Sequence, residues 1–173
     1  MGDDLHLAER NCARTPMQWS TEPNAGFTKN EKPILPVICE GPYGFQHVNV
    51  AEQRRDPNSL LNWMERIIRM RKEVPEIGWG DFSFISAGTP KALAIRYSWR
   101  NNSVLCLHNL GSGTREVGLR IQGDDERDCL LANLLSDDHS QAENGSHRIV
   151  LEPYGYRWYR VCGLDYLLKR STI

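Results

Sequence analysis

The sequence predicts a mainly β chain, with an antiparallel β-sandwich in its C-terminal part behind a proline-rich loop and one amphipathic helix. Three observations carry this. Six of the nine prolines stand before residue 58, where no period of 2 or 3.6 is sustained. From Asn58 to about Val74, apolar residues recur at helical spacing. Beyond Gly80 the chain breaks into short β-rich runs punctuated by turn residues.

The leading segment holds Pro16, Pro23, Pro33, Pro36, Pro42 and Pro57, which fix φ and remove donors, so long elements are excluded. Met17, Trp19, Phe27, Ile34, Leu35, Val37, Ile38, Tyr43, Phe45 and Val48 are interleaved with them. That is too apolar for a linker, and it predicts a loop that packs on something larger. In the helix, Asp56 is the expected N-cap and Pro57 the first helical residue. Leu60, Leu61, Met64, Ile67 and Ile68 share one face, and Pro75 stops the helix.

Strands are expected at Phe82 to Ile85, Ala92 to Trp99, Val104 to Leu110, Arg115 to Ile121, Asp128 to Leu131, His147 to Leu151 and Tyr156 to Val161. Leu93, Ile95, Tyr97 and Trp99 alternate onto one face, and Asn101-Asn102 forms the expected hairpin turn. The polar stretch Ser136 to Ser146 reads as a solvated loop. The domain boundary is placed near residues 76 to 80, giving parts 1-76 and 77-173.

At 173 residues the chain is too short for a whole (β/α)8 barrel, which takes about 250. Twenty-one Lys and Arg stand against twenty-two Asp and Glu, a net charge of -1, so no global field draws a polyanion and no nucleic-acid partner is expected. Apolar runs fall far short of the roughly 20 residues that span a bilayer, so no membrane partner is expected either. The five cysteines are spread without a C-x-x-C pair, which suits buried thiols in a reducing compartment and predicts a cytoplasmic protein. His6, His47, His108, His139 and His147 lie on unrelated elements without ligand spacing, so neither metal nor cofactor is expected.

The loop carries the chemical information. Arg10-Asn11-Cys12-Ala13-Arg14-Thr15-Pro16-Met17-Gln18-Trp19-Ser20, followed by Asn24-Ala25-Gly26-Phe27, resembles the segment after the seventh barrel strand in the α-glucosidase-like branch of glycoside hydrolase family 13, the α-amylase family. Gly44 to Val50, then Asp56 to Leu61, look most like the members that interconvert maltose and trehalose. Leu151 to Tyr159 is similar to the last strands of the same enzymes, so the likeness runs from about residue 1 to residue 161.

This resemblance implies the C-terminal portion of such an enzyme: the last loop and helix of an incomplete (β/α)8 barrel, then the sandwich. In the full-length enzyme maltose or trehalose would be the substrate, handled by intramolecular transglucosylation with a carboxylate nucleophile and an acid about 5 Å apart. The resemblance places both carboxylates upstream of the matched segment, so no catalytic residue is expected here. Asp3, Asp4 and Glu9 read as solvated loop residues. The chain would then be inactive alone, either as a fragment or as the complement of a missing N-terminal barrel half.

By the same resemblance Arg10 is a substrate-binding candidate, contacting glucose in the catalytic subsite, against an ordinary loop salt bridge. Arg14 is the second candidate, against a role in holding the loop. Trp19 and Phe27 could stack on a sugar ring, but loop anchoring by packing is the expectation. Gln18 could bond within the loop or line the pocket. Two rival functions remain: a fragment of an oligo-1,6-glucosidase or other α-glucosidase, and an independent α-glucan-binding sandwich.

Overall fold

A computed structural model describes residues 14-121 and 129-162. Backbone contacts divide the chain into two compact units, Met1–Ile68 and Arg69–Ile173.

The first unit is a loop closed by two helices. Helix α1 (Val50–Arg55) is capped by Asn49, whose side chain accepts the Glu52 N–H at 2.9 Å. The sequence pattern gave no sign of this helix, because six residues are too few to show a period. Helix α2 (Leu60–Glu73) lies where expected, but its cap differs. Ser59 Oγ accepts the Asn62 N–H at 3.2 Å, while Asp56 accepts from Asn58 at 2.8 Å. Asp56 therefore closes a turn before the helix, and the first helical residue is Leu60 rather than Pro57. Asn62 donates back to the carbonyls of Gln53 (2.9 Å) and Asp56 (2.7 Å), tying α2 to the end of α1. No α2 side chain is fully buried, and Leu60, Met64 and Ile68 are 62%, 42% and 48% exposed.

The second unit contains the last turns of α2, a short helix α3 (Glu76–Trp79) and seven strands: β1 (Asp81–Phe84), β2 (Ala92–Trp99), β3 (Asn102–Asn109), β4 (Arg115–Leu119), β5 (Leu131–Asn133), β6 (His147–Leu151) and β7 (Tyr156–Val161). All pairings are antiparallel, in a five-stranded sheet ordered β1-β2-β3-β7-β5 and a two-stranded sheet β4-β6. The mainly β, antiparallel expectation therefore holds.

Local differences have local causes. The β2–β3 register pairs Trp99 with Asn102, so the turn is Arg100-Asn101, with Arg100 left-handed, rather than Asn101-Asn102. The fifth strand is Leu131–Asn133, later than expected; Asp128 lies outside the described residues.

Strand β3 explains how the unit packs. Leu105 and Leu107 join Ala94, Val117, Leu119, Leu131, Ile149 and Leu151 in the core shared by the two sheets. Val104 and Cys106 face the other way, into a second cluster with Val74, Leu134, Met70, Ile77, Tyr97 and Trp158. The face of Tyr97 in β2 thus meets the second cluster, while Ala94 on the opposite face is the most buried β2 residue. Beside this cluster Glu76, 1% exposed, accepts from Arg160 at 2.7 Å, linking α3 to β7 across 84 residues. Asn109 donates to the carbonyls of Gly113 (2.8 Å) and Glu152 (2.7 Å), pinning two turns to the end of β3.

Candidate functional site

The candidate site is the loop of the first unit, from Arg14 to the start of α1. Its centre is a tight turn at Pro23–Gly26, where Asn24 (φ 52°), Ala25 (φ 54°) and Gly26 (φ 67°) are successively left-handed. Such backbone is unfavourable for Ala and needs support from its surroundings. Support comes from Asn24, whose amide donates to Asn30 O at 2.8 Å and Thr28 O at 3.3 Å, and from Ala25 O, which accepts from the N–H groups of Trp19 (2.9 Å) and Ser20 (3.1 Å). Ala25 is fully buried. At Gly26 a side chain would collide with Ser20 Oγ, 2.6 Å from an added Cβ.

Gln18 ties the two ends of the loop together. Its side-chain amide donates to Tyr43 O at 3.0 Å and to Val48 O, while its own carbonyl accepts the Val50 N–H at 2.9 Å. Trp19 O accepts from Ala51 at 3.0 Å. The two carbonyls thus receive first-turn N–H groups of α1, which have no partner within the helix. Of the two roles left open for Gln18, the structure displays the bond within the loop.

The Gly44 to Val50 run is shaped by equally local demands. An added Cβ on Gly44 would lie 2.7 Å from Cys39 O, so the residue must be glycine for the chain to pass. Phe45 N donates to Ile38 O at 2.9 Å, and Asn49, 2% exposed, donates to Phe45 O at 3.0 Å while capping α1.

Arg10 lies outside the described residues. Arg14 is exposed at the entry to the loop. Trp19 and Phe27 remain 48% and 50% exposed, so in this chain they do not anchor the loop by burial. The carbonyls of Ala25, Gln18 and Trp19 and the side chains of Asn24 and Asn49 do that work. Asn24 and Asn49 stand within the quoted motifs but carry no expected role there, although an Asn before Ala-Gly is a recognisable left-handed signal. Among the described residues no group of three His, Cys, Asp or Glu side chains could hold a metal ion, and no helix is long and apolar enough to cross a membrane.

Comparison with known proteins places these features. Residues 1-80 match the alpha amylase catalytic domain, and residues 102-160 match the sucrose hydrolase-like C-terminal domain. The chain is 29% identical to a trehalose synthase of Thermus thermophilus over 97% of its own length and 18% of that protein's. It is 30% identical to a trehalose synthase of Pimelobacter sp. over 95% of its length and 30% of that protein's. A probable oligo-1,6-glucosidase of Bacillus subtilis is 30% identical over 87% of the chain and 25% of its own length. Among solved structures, a MutB double mutant in complex with isomaltulose superposes with a TM-score of 0.67 at 28% identity, covering 88% of this chain and 26% of that one. The chain therefore spans less than a third of each of these relatives. It belongs to the α-amylase family, glycoside hydrolase family 13.

Proposed function

We propose that residues 1-76 are the C-terminal remnant of a (β/α)8 catalytic barrel and residues 77-173 its β-sandwich, in a longer protein that interconverts maltose and trehalose. The supporting observation is that likeness to trehalose synthases runs through nearly all of the chain, loop and strands alike. In that protein a carboxylate nucleophile displaces the glucosidic oxygen to form a glycosyl-enzyme, and a second carboxyl group protonates the leaving glucose. The released glucose turns and re-attacks through its anomeric hydroxyl, which restores the proton to that carboxylate. Both carboxylates are assigned to barrel strands upstream of this chain. This chain contributes the loop, with Arg10 as the proposed contact to glucose and Arg14 as the proposed brace of the loop, and it is inactive alone.

The exposed apolar stripe of α2 supports a partner on that face, the rest of the barrel. The free thiols Cys39, Cys106, Cys129 and Cys162 support a reducing, cytoplasmic setting.

The test compares the purified chain with the product of the reading frame extended upstream through the missing strands, each given maltose. The expected result is trehalose, with some glucose, from the extended protein and none from the chain alone. Trehalose made by the chain alone would overturn the assignment of the carboxylates. The likeness to an oligo-1,6-glucosidase supports a second reading, an α-glucosidase parent. Hydrolysis of isomaltose by the extended protein, without trehalose formation, would favour it.

A further inference from the structure

The bonds that pin the candidate loop converge on consecutive residues, Gln18, Trp19 and Ser20. On one edge, the Trp19 and Ser20 N–H groups donate to Ala25 O at 2.9 and 3.1 Å. On the other, the Gln18 and Trp19 carbonyls accept from Val50 and Ala51 at 2.9 and 3.0 Å. Gln46 Nε2 adds a bond to Thr21 O at 3.4 Å. The Gln18 side chain contributes what these bonds do not, a tie to the turn that leads into α1. Both N–H bonds of its amide are used, one to Tyr43 O at 3.0 Å and one to Val48 O, 25 and 30 residues further along the chain. Arg14 stands four residues before Gln18, and Pro16 fixes one of the φ angles between them. The segment that carries the candidate arginines therefore leads directly into a doubly held anchor.

We propose that Gln18 is a positioning residue for the transglucosylation, and that its fork sets the share of trehalose against glucose among the products. This rests on the maltose–trehalose reading above. In that reaction the freed glucose must stay held while it turns, and water competes with it for the glycosyl-enzyme. Glucose attack breaks the glycosyl–carboxylate bond and gives trehalose. Water attack breaks the same bond, passes its proton to the same acid–base carboxylate and gives a second glucose. Orienting the sugar favours only the first outcome, and a loop that loses its register loses that advantage. Gln18 does not touch the sugar in this assignment; it acts through the loop that does.

The test uses the upstream-extended protein, with trehalose and glucose measured together at initial rates from maltose. Gln18→Ala removes the fork, and Gln18→Glu keeps the length of the side chain but has no N–H to give. Each should lower the trehalose-to-glucose ratio about tenfold. Ser59→Ala, which weakens the α2 cap, should keep the ratio of the parent, because a smaller folded fraction scales both products equally. The proposal is overturned by proportional loss of both products in the Gln18 variants, by an unchanged ratio, or by an equal shift in Ser59→Ala. A parent that makes no trehalose overturns the maltose–trehalose reading and the proposal with it. Trehalose from the parent with an unshifted ratio in the Gln18 variants overturns the proposal alone.

Discussion

Gln18 shows how much of the loop's order rests on single side chains. Two carbonyls, of Tyr43 and Val48, accept from its side-chain amide. Gln18→Ala should destabilise the loop by about 1–3 kcal/mol, the cost of leaving acceptors unpaired, seen as faster hydrogen exchange at Val50 and Ala51. The buried pair Glu76–Arg160 has larger stakes. Glu76→Ala leaves the guanidinium, 15% exposed, without this carboxylate, and should cost about 3–5 kcal/mol in urea unfolding. Glu76→Gln, which keeps an acceptor, should cost less. Thiols differ just as sharply: burial pushes Cys106 up to about 12, whereas Cys39 and Cys162 are exposed. Native-state alkylation should label the exposed pair and spare Cys106 until the unit unfolds, as read by mass spectrometry.

The elements were legible in proportion to their length and regularity. Helix α2 and strands β2, β6 and β7 repeat a period long enough to be read, and their observed spans fall on the expected ones or within two residues. Helix α1 is one and a half turns, built from Asn49 and two distant carbonyls, so its cause is tertiary and invisible to periodicity. The cap of α2 differs from the expectation because Asp-Pro is a good local start signal, yet Ser59 is also a strong cap and sits closer to the first apolar residue. Ser59→Ala should therefore cost about 1 kcal/mol, and the matching change at Asp56 less. Within the candidate site, the need for Gly44 follows from the approach of Cys39 O, a contact no local pattern encodes. The exposed Leu60, Met64 and Ile68 stripe should make the isolated chain self-associate. Ile68→Glu should shift it toward monomer in light scattering while leaving the helical circular dichroism intact.

Across the whole molecule, acid is the natural denaturing direction. His108 and His147 are both held below the usual imidazole value by burial, so the unfolded chain binds protons more readily than the folded one. Their contribution is fully present above the unfolded value of 6.5 and declines as pH falls below it. Glu152 is held below the usual carboxylate value by its hydrogen bonds from Arg157, so a further loss follows below the unfolded value of 4.5. The urea midpoint should thus be level at neutral pH and fall in two stages on acidification. His147→Gln should reduce the first stage.

Because β3 is hydrophobic on both sides, the polypeptide has one seam where two dry interiors share a wall. Loosening that seam wets both interiors together, so neither can melt ahead of the other, and the strand-rich unit should come apart in one step. A lesion as small as Leu105→Ala should lower the fluorescence and circular dichroism melting curves by the same number of degrees.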